Sequence, residues 1–545
     1  MEGAETGGQN DMTTIAADAP PSPPARGLRG PWGTLLASAF GVMMVALDGT
    51  IVAVANPAIA HDLGASLAEL QWVTHGYLLG LAVFLITAGK LGDRFGHRRM
   101  YLIGVVGFAL TSVAIAMSSG VAVLIAFRIL QGVFGATIGP AAMGLMRSGF
   151  PSHMLGRAFG VFASLLGGAT AAGPILGGVL VSAFGWHSVF LINVPIALAA
   201  IGLTAWLVGP NRPTDAGSQF DLAGIVLLSI AIFALVWALV EAPAEGWGHP
   251  LTLTALGLAL VFGVAFVLWE LRAEEPLLPM NIFRSLPISI GTVLMILMAL
   301  ALMGSLFFIT FYLQGVSGLS PMQTGLQLLP LTAMMAIWGT PAGRLVDRVG
   351  ARLPTIGGLV ASTVGMAMLA RLTPEIGWVY TSIAFILLGV GLSFVMTGAT
   401  AAIMTSAPVS LAGVASGMQQ AAMQLGGSLG TAVLGAALAM TVSRTLPGHF
   451  AAAGLPKPGP DEVAGMQSAV SQGGAVIPDG ASAAVADAVT SASHLAFLDG
   501  MHLSFGIAAA VMAAAALLAW FMGPKQQEQV DEGSDDSTAE PVLHL

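Results

Sequence analysis

Two charged side chains of this sequence, one Asp and one Arg, lie well inside long apolar runs. Asp48 belongs to the run at residues 32–54, and Arg128 belongs to the run at residues 121–143. A charge at the bilayer centre costs about 2.5–3.5 kcal/mol, so each group should face the protein interior or water and should have a partner. Burial opposes the charged form of an aspartate while a nearby arginine favours it, and the balance can leave the acid titratable near neutral pH. Asp48 and Arg128 are therefore predicted to serve proton coupling; the alternative is a permanent ion pair that only joins two helices.

A second group of charges occurs twice. The stretch "GKLGDRFGHRR" at residues 89–99 concentrates charge in a chain that is only 9% charged, and "GRLVDRVGAR" at residues 343–352 repeats its pattern in register. Membrane topology depends on Lys and Arg but little on Asp, so an Asp in the same slot of both copies indicates another role. Such a carboxylate can accept hydrogen bonds from Arg or from a helix N-terminus. We predict a conformational latch, the alternative being a loop that only fixes topology. Its predicted members are Gly89, Asp93, Arg94, Gly96, Arg98, Gly343, Asp347, Arg348, Gly350 and Arg352.

Composition predicts the elements that position these residues. The chain has 545 residues, 56% of them hydrophobic, and its mean hydropathy is +0.84, as expected for a membrane protein. Fourteen runs approach the roughly 20 apolar residues that a membrane-crossing helix needs. Because backbone groups in lipid need internal partners, an all-α polytopic membrane protein is predicted. The runs cover residues 32–54, 69–90, 100–118, 121–143, 156–181, 188–208, 221–240, 251–270, 288–314, 322–342, 354–371, 376–398, 412–438 and 501–522.

The repeated loop predicts how these helices are grouped. Two homologous halves related by an axis along the membrane normal keep both loops on one face, so an even number of helices separates them. Eight predicted helices do so, which is two more than one six-helix half contains. We therefore predict two six-helix bundles and two extra helices. The predicted segments are a disordered cytoplasmic N-terminus (1–31), a first bundle (32–208), a two-helix linker insertion (219–272), a second bundle (288–522) that contains a long outer loop (442–500), and an acidic cytoplasmic tail (523–545).

The basic residues predict the orientation. If the N-terminus is cytoplasmic, all Lys and Arg in loops fall inside except Arg371, Arg444 and Lys457, as the positive-inside rule requires. Both termini are thus predicted to be cytoplasmic, in a protein of the cell membrane. The net charge of −9 comes largely from the acidic tails, and the absence of cysteine excludes disulfides and thiolate metal sites.

Several motifs, in order, resemble the major facilitator superfamily and, within it, the fourteen-helix drug:proton antiporters. The repeated loop matches the family signature between helices 2 and 3. "LDGTIVAVANPAI" (47–59) looks like the helix 1 motif, with Asp48 in the acidic position, and "RILQGVFGA" (128–136) is similar to the helix 4 motif said to serve proton coupling. The resemblance covers residues 32–522 and implies a major facilitator fold and proton-coupled efflux of drugs or antibiotics.

The fifth predicted helix also resembles a family motif, the antiporter motif. "GVFASLLGGATAAGPILGG" (160–178) matches it at Gly160, Gly173, Pro174, Gly177 and Gly178. Glycines permit close approach of another helix backbone, and an internal proline removes a helix hydrogen bond and predicts a bend. A hinge and seal between the two halves is one interpretation, and generic packing of membrane helices is the other.

Aromatic, methionine and amide side chains offer adaptable apolar surface with a few polar groups, which suits a lipophilic substrate. Plain bundle core or lipid contact is the alternative for each one. The candidates are Met43, Trp72, His75, Tyr77, Gln131, Phe307, Phe308, Phe311, Tyr312, Gln419, Gln420, Met423 and Gln424.

No residue pattern indicates an enzyme. The sequence has no Walker phosphate loop and no HExxH zinc motif, and "GGSLG" at residues 426–430 lies inside an apolar run without the preceding strand that a nucleophile elbow requires. We therefore predict no catalytic residue, no metal and no cofactor, with transport driven by a proton gradient.

The leading hypothesis is a proton-coupled exporter of lipophilic, often cationic, drugs or antibiotics. Its predicted partners are the small substrate, protons and membrane lipids, without nucleic acid, and the protein is predicted to be a monomer. A proton-coupled metabolite uptake symporter is the alternative within transport, disfavoured by the antiporter-like fifth helix. A non-transporting membrane receptor or scaffold is a third hypothesis, which the repeated loops and the buried Asp and Arg oppose.

Overall fold

The computed structural model describes residues 30–65, 67–209, 221–319, 321–373, 376–478 and 480–523. Most of the predicted N-terminal segment, the connection before the linker insertion and the acidic tail lie outside these residues. Fourteen long helices are present in the described part. They are α1 (Pro31–Leu63), α2 (Leu67–Phe95), α3 (His97–Ala116), α4 (Val121–Gly149), α5 (Leu155–Phe184), α6 (Asn193–Leu207), α7 (Leu222–Glu245), α8 (Pro250–Glu270), α9 (Leu286–Phe311), α10 (Pro321–Val349), α11 (Arg352–Leu369), α12 (Trp378–Ser406), α13 (Ala412–Ala452) and α14 (Ala483–Ala519).

Twelve of these helices are long and apolar enough to cross a membrane, which confirms the predicted multi-pass, all-helical class. The other two are α5 and α10, one rich in glycine and alanine and the other interrupted by Pro330 and Pro341. Both occupy the positions of predicted crossings, and neither is one of the twelve found among the described residues. The count of fourteen crossings therefore stays a prediction.

The helices pack as two groups that touch most extensively along two pairs. In the N-terminal group α2 packs on α4, α3 on α4, and α1 on α5 and α6. In the C-terminal group α9 packs on α13, α10 and α11 on α12, and α14 on α11 and α13. Across the groups α2 packs on α13 and α5 on α10. In the sequence repeat α10 is the counterpart of α2, and α13 is the counterpart of α5. The α2–α13 and α5–α10 pairs are therefore equivalent contacts.

The predicted linker pair forms a helical hairpin. α7 packs along α8, and α7 also lies on α2 and α13. Leu228, Ile232, Val236 and Phe266 of this hairpin join the apolar cluster of the N-terminal group. The extra helices therefore lie beside one of the two pairs that connect the groups.

The outer connection is shorter than the predicted loop of residues 442–500. α13 continues to Ala452 and α14 begins at Ala483, because the alanine-rich flanks extend both helices instead of forming loop. Between them lies one further helix, Pro460–Ser471, which packs on α13 and α14. Within the predicted loop, residues 460–471 thus form a helix, and residues 483–500 form the first turns of α14.

Candidate functional site

Asp48 of α1 and Arg128 of α4 meet inside the N-terminal group. Arg128 Nη1 lies 2.5 Å from Asp48 Oδ2, and the two side chains are 0% and 1% exposed. Both charges are therefore withdrawn from solvent together, which is tolerable only when each has a close partner of opposite charge. The predicted partnership of the two residues is present in the structure.

Two amides and a hydroxyl complete the carboxylate's surroundings. Asn193 Nδ2 donates to Asp48 Oδ1 at 3.0 Å, and Gln131 Nε2 lies 3.3 Å from the same oxygen. Both amides also donate to Ser112 Oγ, at 3.1 Å and 2.8 Å. Residues from α1, α3, α4 and α6 thus form one buried network around a single carboxylate.

Asn193 and Ser112 are absent from the residues predicted from sequence. An asparagine within the apolar stretch "VFLINVPIAL" is a usable signal, because a buried amide needs partners. A serine in an apolar helix gives no comparable signal, since its hydroxyl is normally satisfied by its own helix. Ser112 does donate to Phe108 O at 2.8 Å in this way.

The structure places two predicted substrate contacts in this network instead. Gln131 Oε1 accepts from Arg128 Nη1 at 2.6 Å, and the side chain is fully buried. The Tyr77 ring lies under the guanidinium, with Arg128 Cζ 4.3 Å from its centroid. Arg128 Nε donates to Val73 O at 3.0 Å. Gln131 and Tyr77 therefore hold Arg128 in place in this conformation and are not exposed to a substrate.

The glycines of α5 divide into three kinds. A methyl group at Gly173 would overlap the Thr50 hydroxyl, and one at Gly177 would meet the Ile51 side chain, so both allow α1 to approach closely next to Asp48. Gly160 allows equally close approach of α10 in the other group, because a methyl group added at Gly160 would overlap the Gly339 carbonyl. An added methyl group at Gly178 would meet no described atom within 4 Å, so its membership of the antiporter motif stays a prediction. α5 continues through position 174 as helix, and the Pro174 side chain lies outside the described features.

The first copy of the repeated loop holds the N-terminus of α13. Asp93 Oδ1 accepts from Gly413 N at 2.9 Å, and Asp93 Oδ2 accepts from Val414 N at 3.0 Å. Asp93 is completely buried there. A methyl group at Gly89 would overlap the Gly413 carbonyl, so the backbones of α2 and α13 are in direct contact. Helix N-terminal amides carry partial positive charge, which a carboxylate neutralises.

The second copy makes the equivalent contact with α5. Asp347 Oδ2 accepts from Arg157 N at 2.9 Å, and a methyl group at Gly343 would overlap the Gly156 carbonyl. Asp347 is only partly buried, whereas Asp93 is completely buried, so solvent screens the Asp347 contact more strongly. Each loop thus caps a helix of the other group, and both caps lie at the same end of the molecule, which we call the motif end.

Other members of the repeated motif have structural roles. Gly96 and Gly350 adopt φ values of 91° and 82° at the turns into α3 and α11, a region that disfavours side chains. Arg94 lies over the Phe95 ring at 5.4 Å, and Arg352 lies over the Trp520 ring at 4.7 Å. No described contact to the opposite group is recorded for Arg98 or Arg348, so their membership of a latch stays a prediction.

The remaining substrate candidates are scattered. Gln420 lies between the groups, because a methyl group at Gly139 of α4 would overlap its amide. Gln419 is buried and donates to Thr400 Oγ1 at 2.7 Å, while Tyr312 and Phe308 are buried within the C-terminal group. Phe307 is 50% exposed and packs edge-on against Phe308 and Phe311. The others, all partly buried, are Met43, Trp72, His75, Met423 and Gln424.

These features define a class: a polytopic helical protein of two repeated groups, with one buried ion pair and paired contacts at one end. The Major Facilitator Superfamily family profile matches residues 38–431. The chain belongs to that superfamily, and it is a multi-pass membrane transporter of small molecules rather than an enzyme.

Named relatives agree with this assignment. The chain is 51% identical over 500 residues to the tetracenomycin C resistance and export protein of Streptomyces glaucescens, covering 91% of this chain and 93% of that protein. It is 36% identical over 423 residues to the multidrug resistance protein Stp of Mycobacterium tuberculosis (strain CDC 1551 / Oshkosh), covering 76% and 78% of the two chains. The crystal structure of the human organic anion transporter MFSD10 is similar in fold, with a TM-score of 0.57 at 12% identity over 90% of this chain and 99% of that one.

Proposed function

We propose that this protein exports lipophilic, often cationic, drugs or antibiotics across the cell membrane in exchange for protons. The names of its relatives support the substrate class: one is a resistance and export protein for tetracenomycin C, and another is a multidrug resistance protein. The observation that carries the exchange mechanism is Asp48, a fully buried acid paired with an equally buried arginine.

Protonation of Asp48 would change the contacts of four helices at once. As a carboxylate, Asp48 accepts from Arg128 and Asn193; as a neutral acid, it loses the ionic part of that attraction. Removing the charge of one partner in a buried ion pair costs about 3–5 kcal/mol, because the other charge is left buried without compensation. The two protonation states of Asp48 therefore favour different arrangements of α1 against α4 and α6, as proton coupling requires.

The substrate does not reach Asp48 in this conformation, because the side chain is 0% exposed. Direct competition between a proton and a cationic substrate for the bare carboxylate therefore needs another conformation. In that conformation Arg128 moves away from Asp48, and the acid faces an open cavity. The buried network thus represents one stage of the cycle, with the acid sealed from both sides.

The two loop contacts would govern access at the motif end. In this structure Asp93 and Asp347 each cap a helix of the opposite group, so the motif end is closed. Opening that end requires both carboxylates to release their backbone donors. We infer that the pair acts as a latch that forms in one state and breaks in the other.

The proposed setting follows from the charge distribution. We place both termini and the motif end in the cytoplasm, because nearly all basic loop residues then lie inside. The proton gradient supplies the energy without a bound cofactor, and the protein acts as a monomer in contact with membrane lipids. Each charge moved gains about 2.3 kcal/mol per 100 mV, which corresponds to roughly a 50-fold substrate gradient.

Reconstitution into liposomes tests the exchange directly. With an imposed pH gradient, the protein should accumulate ethidium, a lipophilic monovalent cation, and ethidium should release protons that a trapped pH dye reports. Asp48→Asn should abolish proton-driven accumulation while leaving expression intact, because the amide cannot ionise, and Asp48→Glu should retain part. Asp461→Asn, a change at an exposed acid of the outer helix, is the matched control and should behave as wild type.

Two results would contradict the proposal. If Asp48→Asn still builds a pH-dependent ethidium gradient, another group carries the proton. If neither ethidium nor a neutral aromatic antibiotic moves protons through the wild-type protein, it does not exchange such compounds for protons. We also expect divalent methyl viologen to be exported less well than ethidium, since the buried network offers one carboxylate for two charges.

A further inference from the structure

Two acidic side chains meet at the base of the linker hairpin formed by α7 and α8, outside the network around Asp48. Asp221 directly precedes α7, and Glu270 is the last residue of α8. α5 begins at the motif end, so α6 ends and α7 begins there as well. The acid pair therefore lies at the motif end of the hairpin, whose helix α7 also packs on α2 and α13.

A glycine provides the space in which the two carboxyl groups meet. A methyl group at Gly224 would overlap both Asp221 Oδ2 and Glu270 Oε1, so these two oxygens lie within about 5 Å of each other. Glu270 is only 4% exposed, and Asp221 is partly buried. Any side chain at position 224 would push the two acids apart.

The other oxygen of each acid already has donors. Asp221 Oδ1 accepts from Gly224 N and from Trp269 Nε1, both at 2.8 Å. Glu270 Oε2 accepts from Leu278 N at 3.1 Å. These bonds join the first turn of α7, the last turn of α8 and the chain that leads to α9. Because Leu278 belongs to the apolar cluster of the N-terminal group, the pair anchors the hairpin base to that group.

The two oxygens that face each other lack such donors. Within the part of the chain that the structure describes, neither Asp221 Oδ2 nor Glu270 Oε1 receives a hydrogen bond, although both atoms are buried. Two ionised carboxylates repel each other strongly in a buried site, whereas an acid and a carboxylate form a short, strong O–H···O bond. One proton between the two oxygens would satisfy both and remove one of two like charges.

Basic side chains do not balance this pair. Among the described ionisable groups, Asp221 is the one that acts on Glu270. α13, which packs on α7, has no charged residue before Arg444. The other charged groups at the motif end of the neighbouring elements are Lys90, Asp93 and Arg94 on α2, and Arg272, Glu274, Glu275 and Arg284 in the connection to α9.

We propose that Asp221 and Glu270 share one proton and form a second proton-binding site, at the base of the linker hairpin. The proton lies between Asp221 Oδ2 and Glu270 Oε1, where one carboxyl group donates it to the other. The site is separate from the Asp48 network, and it does not depend on the proposed exchange of substrate for protons.

The direction of the pH dependence follows from the charge of the pair. With the proton in place, the pair has one negative charge and one hydrogen bond, and it holds the first turn of α7 against the last turn of α8. Loss of the proton leaves two adjacent negative charges, which repel each other. The base of the hairpin should therefore be closed at acidic and neutral pH and open at alkaline pH.

Counting protons tests the inference on the purified protein in lipid nanodiscs. Between pH 6 and pH 9, the wild-type protein should release one proton more than Glu270→Gln, and infrared difference spectra should show the loss of one protonated carboxyl group. Asp221→Asn should lose the same proton and band, because its amide can donate to Glu270 and stabilise the ionised form. Glu274→Gln, at an exposed acid four residues away, is the matched control and should match the wild type.

Three results would overturn the inference. If the wild type and Glu270→Gln release the same number of protons, the pair holds none. If Asp221→Asn keeps the proton that Glu270→Gln loses, Glu270 binds it alone and nothing is shared. If the wild type shows no protonated carboxyl group and added Na⁺ or Ca²⁺ shifts its carboxylate bands, the pair holds a metal cation instead.

The same count in an Asp48→Asn background separates this site from the proposed function. The difference between proteins with and without Glu270→Gln should remain one proton there, even if Asp48 has no part in transport. A difference that disappears in this background would assign the proton to the Asp48 network and overturn the second site.

Spin labels measure the consequence for the hairpin. Leu222→Cys and Leu271→Cys replace exposed residues next to the two acids, in a chain that has no cysteine of its own. The distance between the labels should increase from pH 6 to pH 9 in the otherwise unchanged protein and stay short in Glu270→Gln. The same increase in Glu270→Gln, or a constant distance in the otherwise unchanged protein, would overturn the opening of the hairpin base by loss of the shared proton.

Discussion

The substitution Asp93→Asn should open the motif end far more than Asp347→Asn does. Asp93 is completely buried and accepts two backbone amides of α13, at 2.9 Å and 3.0 Å. Asp347 is partly buried and accepts one described amide of α5 at 2.9 Å. An asparagine keeps one acceptor oxygen but loses the charge and turns an NH₂ group toward a backbone N–H.

The magnitude follows from these contacts. A hydrogen bond to a charged group contributes about 1.5–3 kcal/mol, and a carboxylate at a partly buried helix N-terminus contributes up to about 2 kcal/mol. We expect Asp93→Asn to cost the closed state about 2 kcal/mol, which is roughly a 30-fold change in the ratio of open to closed molecules. For Asp347→Asn the expected cost is about 1 kcal/mol, or roughly five-fold, because Asp347 is partly exposed and solvent screens its charge.

Alkylation of a single introduced cysteine measures that ratio. Ser416 lies on α13 and has no exposed surface. The wild-type chain contains no cysteine, so Ser416→Cys introduces the single reactive thiol. The maleimide labelling rate should rise in the order wild type, Asp347→Asn, Asp93→Asn, while Asp461→Asn should leave it unchanged. Equal rates in wild type and Asp93→Asn, or a faster rate in Asp347→Asn, would refute the reasoning.

Three further outcomes are expected. Asn193→Leu should slow proton-driven transport by about ten-fold, because it removes a direct donor to the buried acid, and transport rates in liposomes measure this. Gly173→Ala should impair transport and lower the melting temperature, since the added methyl would overlap α1, whereas Gly178→Ala should leave both unchanged because nothing lies within 4 Å. A cysteine at Lys457 should react with a membrane-impermeant reagent from outside intact cells and one placed after Lys525 only from inside; labelling of both from one side would contradict the predicted topology.

Much of the fold follows from apolar runs alone. Each predicted run corresponds to a long helix, because a backbone in lipid must satisfy its own hydrogen bonds. Helix ends were harder to predict: the outer connection spans residues 453–482 and not 442–500. Hydropathy predicts only the apolar part of a helix. Alanine and threonine residues continue α13 for several turns beyond its predicted apolar run.

The ionic centre was also predictable, but its surroundings were not. A lone Asp and a lone Arg in apolar runs must find partners, which is why Asp48 and Arg128 could be paired from sequence. Ser112 gave no such signal, since its hydroxyl is satisfied within its own helix. Tyr77 and Gln131 were assigned to substrate because residue type alone does not reveal which face of a helix they occupy.

The repeat predicted that the two Asp residues act alike, and the structure shows why they are unequal. Asp93 is sealed between α2 and α13 and holds two amides, whereas Asp347 retains contact with solvent. Burial and donor number depend on the partner helix, which the loop sequence does not contain.

The distribution of buried charge suggests how the two groups divide the work. Among the described residues, each buried Asp, Glu, Lys, Arg or His precedes α9, and buried polar groups of the C-terminal group are amides and hydroxyls such as Gln419 and Thr400. We therefore propose that the proton chemistry belongs to the first group, where Asp48 and Arg128 lie, and that the second group recognises a lipophilic substrate through neutral groups. The two are connected by contact: α1, which carries Asp48, packs through Thr50 on Gly173 of α5, and α5 packs on α10. A change in the charge of Asp48 that shifts α1 must also shift α5, and with it the surface on which the opposite group rests.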